Sequence, residues 1–350
     1  MADLPDLNAT LARLTEELVE KLASMKYPRD GAEAYRKCLL INTQGGKLNR
    51  CLSVLDTGKT LRHQVLTETE TEHLMVLGWL VEMFNASYII WDDIMDQSET
   101  RRGKPCWYRR KDVGLMSIND GCLLMSSIFI LLRSHFKTHP AYYDLVEMFQ
   151  EAALHIELGQ EYDMLTASSE IGLKGFTKDK YDFIVEHKTS YYTSYIPMAL
   201  PLVYLGLATP KNLKEVYKVA TCLGQYYQVR NDYLDIYGDA SSTGKKGNDI
   251  QENKMTWIVL EAMERCDEEQ KRVIEKYYGS RVNEEVAKVL AVFRQLKLDR
   301  VFQAWQEKQL ALISQAIDEV DETEGLDKGI FRAFVSKLDG EGMKKVGVPV

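Results

Sequence analysis

The segment 88-YIIWDDIMDQSETRRGKPCWYRR-110 ends an apolar run in three aspartates and follows them with two adjacent arginines. Asp92 and Asp96 are four residues apart, so on a helix their carboxylates share a face, with Asp93 beside them. The segment 228-QVRNDYLDIYGD repeats the pattern, with Asn231, Asp235 and Asp239 at four-residue steps, Asp232 between them and an apolar run before them. Carboxylates gathered from two such helices repel unless cations lie between them. Hard oxygen ligands without a nearby histidine suit magnesium better than zinc. Magnesium takes few protein ligands and completes its shell with phosphate oxygens and water. Three loops combine small residues with Lys or Arg: 43-TQGGKLNR, 97-QSETRRGKP and 239-DASSTGKKGNDIQENK. They can supply the basic half of a diphosphate clamp. One acidic motif alone would more often be a solvated helix end; two, joined to three basic loops, are not. A di-iron bundle would need two ExxH pairs, and only Glu70–His73 has that spacing.

These groups must be positioned by helices. Apolar residues recur at three- and four-residue steps in 8-NATLARLTEELVEKLASM, in 69-TETEHLMVLGWLVEMFNASYIIW and in 209-TPKNLKEVYKVATCLGQYYQV, the last opening with Thr-Pro. Further helices are expected at about 112–136, 141–167, 177–205, 251–265, 282–297 and 299–321. No internal repeat or linker divides the 350 residues, 45% of them hydrophobic. The expected fold is all-α: a single large helical bundle with a central cavity, spanning 1–350, with 338–350 as a divergent tail. A net charge of −8 argues against nucleic acid as a partner. Six scattered cysteines without a CxxC pair fit a reducing, cytoplasmic location. No signal peptide and no 18-residue uncharged apolar run is seen, so no membrane span is expected.

The stretches 92-DDIMD with 101-RRG, 45-GGKLNR, 159-GQEYD, 188-KTSYYTSY and 231-NDYLD with TGKKGNDIQENK occur in an order that resembles the trans-isoprenyl diphosphate synthases. The likeness is strongest to farnesyl diphosphate synthases of fungal type and runs from about residue 30 to 335. It implies a helical homodimer that condenses isopentenyl diphosphate with dimethylallyl, geranyl or farnesyl diphosphate, using three Mg2+ ions and no organic cofactor. By this resemblance Asp92, Asp96, Asn231 and Asp235 are metal ligands. Asp93 lies beside them in the first motif. Arg101, Lys188, Lys245 and Lys254 contact the allylic diphosphate, and Gln160, Asp163, Gln228 and Asp249 surround the same cluster. Thr189 and the Lys188 carbonyl lie near the developing cation. Lys47, Arg50 and Arg102 clamp isopentenyl diphosphate, with Asn85 where the family has a glutamine.

The sequence departs from the family at several points. Asn231 stands where the second motif begins with Asp; its amide oxygen can ligate magnesium but carries no charge. Arg230 replaces a glutamine. Ser87 and Tyr88 occupy the chain-length positions where two phenylalanines are usual, and losing one ring opens roughly 100 Å³ if nothing refills it. Trp91 replaces a small residue and Ser194 an aromatic. The basic C-terminal tail is out of register, with Lys344 and Lys345 as possible substitutes. Two other readings therefore stay open: a class I terpene synthase or irregular coupling enzyme, and a non-catalytic dimer partner of an active synthase.

Overall fold

The computed structural model describes residues 4–168, 172–238 and 247–338. Helix α1 (Leu4–Ser24) leads to α2 (Arg29–Thr43), α3 (Asn49–Arg62) and α4 (Glu68–Met95). A hairpin, β1 (Thr100–Arg101) with β2 (Lys104–Pro105), precedes α5 (Met116–Phe136) and α6 (Tyr142–Ala167). Then α7 (Lys178–Ile184) runs without a break into a π-helical stretch, Val185–Tyr195, and on into α8 (Ile196–Tyr204). Helices α9 (Pro210–Tyr237), α10 (Trp257–Arg265), α11 (Glu268–Tyr277), α12 (Asn283–Gln295), α13 (Leu298–Asp318) and α14 (Gly329–Leu338) follow.

The two long helices that carry the acidic segments start from strong caps. Thr67 accepts the Glu70 N–H while the Glu70 carboxylate accepts the Thr67 N–H, a capping box that opens α4. Glu70 is thereby committed to a helix start, and Arg62 pairs with it at 2.9 Å, which removes it from any metal pair with His73. Thr209 caps α9, with Pro210 in its first turn, where the missing N–H costs nothing. Almost every α4 residue from Leu74 to Ile90 is buried, so this apolar helix is the axis of the bundle. A large hydrophobic cluster surrounds it, and a smaller one under α10–α13 holds Trp257, Val289 and Phe302. Trp305 packs against both.

α4 and α5 are each long and apolar enough to cross a membrane by length and composition; the apolar window is 89% buried in α4 and 39% in α5. The expected helices are present, with α5 and α10 starting later than anticipated, at Met116 and Trp257. Helices α2, α3, α11 and α14 are additional. The 97–105 segment is not a simple loop. Arg102 and Gly103 have φ of +53° and +72°, as the tight turn of a two-residue hairpin requires. That turn sends Arg101 back toward α4 and Arg102 toward the end of α2.

The π stretch exists because its neighbours make room. A Cβ on Gly159 of α6 would lie 2.3 Å from the Lys188 nitrogen, and one on Gly224 of α9 would lie 2.0 Å from Ser190 Oγ. Any larger residue at either place would push the widened turn away. Ser190 Oγ donates to the Val185 carbonyl at 3.0 Å, stitching the wide turn from inside.

Candidate active site

The last turn of α4 presents Asp92, Asp93 and Asp96. Asp93 is buried and accepts from Arg101 at 2.6 and 3.1 Å, and Asp92 accepts from the same guanidinium at 3.4 Å. Lys188, from the π stretch, places Nζ 2.7 Å from Asp163 of α6 and 3.2 Å from Asp92. Lys254 donates to Asp96 and to Asp163, both at 2.7 Å. Four carboxylates and three cationic side chains thus interlock in one partly buried cluster, drawn from α4, α6, the hairpin, the π stretch and the segment before α10.

Burial alone would raise the Asp163 carboxyl, but Lys188 and Lys254 together bring it below its usual range. For Asp96, burial and the negative charge of Asp92 outweigh both lysines and raise it. Burial works against the Lys188 ammonium, yet Asp163, Asp92 and Asp96 hold it well above its ordinary value. The cluster is therefore a set of charges that tolerate burial only together.

The second acidic segment is wired differently. Asp232 is buried: its Oδ2 accepts from the Tyr181 hydroxyl at 2.6 Å and the Trp257 N–H at 2.8 Å, and its Oδ1 from Gln228 Nε2 at 2.8 Å. Burial raises it to about 6. Asp235 accepts the backbone N–H groups of Asn248 and Asp249, at 3.2 and 3.0 Å. Asn231 is exposed. The two acidic segments nonetheless meet through Asn248, which also donates its side chain to the Asp96 carbonyl at 3.4 Å. Asn248 was not singled out by sequence reasoning; its only signal was its place in the third basic loop. Lys245 and Asp239, from the same loop, lie outside the described residues, as do Lys344 and Lys345 of the tail.

The residues fit a divalent cation at the first segment. Asp92 and Asp96 sit one turn apart, and ammonium groups lie 2.7–3.2 Å from their oxygens as stand-in cations. The second segment fits only in part, since Asn231 is neutral and both Asp235 oxygens already accept N–H groups. Among the described residues no three His, Cys, Asp or Glu side chains converge ready for a metal ion.

A second basic corner adjoins the first. Arg102 donates to the carbonyls of Asn42 and Gln44 at the end of α2, at 3.3 and 2.5 Å. Arg50 donates to Thr193 Oγ1 at 2.9 Å and the Tyr192 hydroxyl at 3.3 Å, and lies 4.8 Å above the Tyr192 ring. Burial lowers the Arg102 guanidinium, and the positive charges of Arg101 and Arg50 lower it further despite Glu82. Crowded cations of this kind suit a polyanion. Lys47 is exposed at the rim, and Asn85 is buried on α4.

Beside Asp92 an open groove of 710 Å³ runs between α4 and α6, its wall including Tyr88, Trp91, Met95, Leu154, Leu158 and Gln160. Tyr88 donates to Glu157 Oε1 at 2.8 Å. Trp91 packs edge-on to Tyr88 and donates to the Ile118 carbonyl at 3.1 Å. Its ring fits because a Cβ on Gly121 would lie only 2.5 Å from the Trp91 nitrogen. Ser87 and Ser194 are fully buried and do not line this groove. Ser87 bonds back to the Met83 carbonyl at 3.0 Å, and the Ser194 hydroxyl has no hydrogen-bond partner among the described residues. Thr189 and Gln228 are joined at 2.7 Å.

Comparison with known proteins gives the family and the fold. Residues 32–296 match the polyprenyl synthetase family model. The chain is 41% identical to farnesyl pyrophosphate synthase of Schizosaccharomyces pombe over 331 residues, covering 94% of this chain and 95% of that one. It is 38% identical to the Saccharomyces cerevisiae enzyme, over 93% and 94% of the two chains. Its fold superposes on Trypanosoma brucei farnesyl diphosphate synthase in complex with risedronate, with a TM-score of 0.88, 28% identity and coverage of 97% and 98%.

Proposed function

This chain belongs to the polyprenyl synthetase family and is a trans-isoprenyl diphosphate synthase, a prenyltransferase, and on that premise we propose that it condenses isopentenyl diphosphate with an allylic diphosphate to make farnesyl or geranylgeranyl diphosphate. The observation that carries the reading is the pairing of two basic corners, one interlocked with Asp92, Asp96 and Asp163 and one formed by Arg50 and Arg102. An enzyme that handled a single diphosphate would have no use for the second corner.

In this reading Asp92 and Asp96 hold magnesium, and Asn231 offers a weak additional position among the three ions implied by the resemblance. Magnesium held there would supply charge neutralisation for the departing diphosphate. Arg101, Lys188 and Lys254 turn their donors from the carboxylates toward the phosphate oxygens. The allylic C–O bond breaks, and its electron pair leaves with the diphosphate. The positive charge left on the allylic carbon lies near Thr189 and the Lys188 carbonyl. The double bond of isopentenyl diphosphate, anchored by Lys47, Arg50 and Arg102, forms the new C–C bond, and a proton is lost to the released diphosphate. Tyr88 and Trp91 form the wall along which the product lies.

The test is to incubate the protein and magnesium with isopentenyl diphosphate plus each allylic diphosphate and to analyse products before and after phosphatase. Elongated prenols that appear only after phosphatase support the proposal. Hydrocarbons or alcohols made from one allylic substrate alone would replace it with a terpene synthase, a reading that the neutral Asn231 favours. We further propose a cytoplasmic homodimer. Exposed Leu115, Met116 and Ile118 at the start of α5 offer apolar surface for it, and all six cysteines are free thiols. Light scattering at twice the 40.2 kDa chain mass is the expected result.

A further inference from the structure

Asp232 is the carboxylate that the metal reading leaves without a task. It is 3% exposed and accepts three hydrogen bonds, from Tyr181, from the Trp257 N–H and from Gln228 Nε2. A carboxylate can only accept, so Gln228 must turn its NH2 group to Asp232 and its carbonyl oxygen the other way. That oxygen meets Thr189, whose hydroxyl donates to it at 2.7 Å. The one hydroxyl hydrogen of Thr189 is then committed to Gln228, and the rest of Oγ1 is lone pair. Thr189 follows Lys188, whose ammonium lies in the acidic cluster, so this oxygen stands next to the charge chemistry.

We propose that Asp232 is a positioning residue that acts through Gln228 to fix the direction of the Thr189 hydroxyl, so that Thr189 offers oxygen lone pairs to the positive charge that develops on the allylic carbon. Tyr181 and the Trp257 N–H hold the carboxylate so that it cannot rotate away from Gln228. If Asp232 lost its acceptor oxygen, Gln228 could flip its amide and donate to Thr189. The hydroxyl hydrogen would then be free to point at the reacting carbon, and a stabilising dipole would become a repelling one. The inference rests on the prenyl-transfer reading above.

The experiment uses the full-length protein with Asp232→Asn, Gln228→Leu and the double variant. Gln228→Leu cuts the relay while leaving the buried Asp232 in place, which guards against Asp232→Asn failing to fold. Two readouts are taken: steady-state turnover of geranyl diphosphate, and calorimetric binding of an ammonium-bearing allylic diphosphate mimic against its neutral carbon isostere. Each single variant should lower kcat roughly 10- to 100-fold with KM nearly unchanged, and weaken the charged mimic relative to the neutral one by a similar factor. The double variant should be no worse than the poorer single. Thr189→Ser should retain the preference for the charged mimic, and Thr189→Val should lose it. Equal weakening of both mimics, or additive losses in the double variant, would overturn the relay. A wild-type protein that turned over no allylic diphosphate would sink the proposed function instead, and the calorimetric comparison would still read the relay.

Discussion

The acidic ends of α4 and α9 share a sequence pattern and differ in chemistry. Asp92 and Asp96 face cationic side chains that can let go of them, since Lys188, Lys254 and Arg101 are long and equally suited to phosphate oxygens. Asp232 and Asp235 accept from the backbone N–H groups of Trp257, Asn248 and Asp249, which cannot leave, and Asp232 also accepts from a buried tyrosine and from Gln228. In the proposed reading the first segment exchanges these partners for an ion and a diphosphate. The second is built to brace the loop before α10 and the amide of Gln228. In register, Asp92 matches the neutral Asn231 and the buried Asp93 matches the buried Asp232, so one spacing carries different side chains and different partners at the two helix ends.

The sharpest break of this contrast is Asp92→Ala, which should cut turnover with every allylic substrate by about 10³-fold or more, whereas Asp235→Ala should act mainly through lost thermal stability. Steady-state rates and melting curves on both variants separate the two effects; comparable losses of rate with unchanged melting would erase the distinction. Next in size, Lys254→Met leaves Asp96 and Asp163 short of a partner inside the protein and should cost roughly 3 kcal/mol of stability in denaturant titrations, together with most of the activity. A smaller change in the opposite direction is expected for Asn231→Asp. It restores a charge at the exposed start of the second segment and should lower the magnesium concentration for half-maximal activity about threefold to tenfold. No shift would mean that this position meets no ion. Trp91→Ala should widen the groove beside Asp92 and lengthen the average product by one isoprene unit, read by chromatography of the dephosphorylated prenols. Ser87→Phe, at a fully buried site away from the groove, should lower the melting temperature more than it shortens the product.

The smallest effect concerns pH. Burial, with the neighbouring His139 and His135, lowers His73 below the usual 6.5, and burial lowers His139 as well. These two histidines bind protons more readily in the unfolded chain, so their contribution to stability falls as pH drops from about 6.5, while Asp232, raised to about 6 by burial, works the other way over the same range. Melting temperatures between pH 7.5 and 5.5 on the protein and on a His73→Phe, His139→Phe variant check this: the variant should lose less stability on acidification, and an equal or steeper loss would contradict it.

Most of the helical plan could be read from apolar periodicity, and Asp92, Asp96 and Arg101 from local spacing, because these depend on neighbours a turn or a tight hairpin away; Asp163, Lys188 and Lys254 entered only through the family resemblance, since Lys254 lies 158 residues from Asp96. The short polar helix α11 was missed although Asp267 and Gln270 form a capping box at its start, a local signal that periodicity counts overlook. The bracing role of Asp232 was not legible, since its partners Tyr181 and Trp257 lie 51 and 25 residues away. Nor could spacing tell that Ser87 turns from the groove while Trp91 enters it, because that depends on the room left by Gly121 on a different helix.

The π-helical stretch constrains insertions and deletions more than it constrains residue identity. In an ordinary helix each residue advances the side chains by about 100°. Deleting one residue from 185–195 would let the regular pitch return and swing Lys188 and Thr189 around the axis relative to α8, with every side chain still present. A lineage carrying this chain could thus exchange the side chains of the segment that make no such contacts more freely than it could change the segment's length.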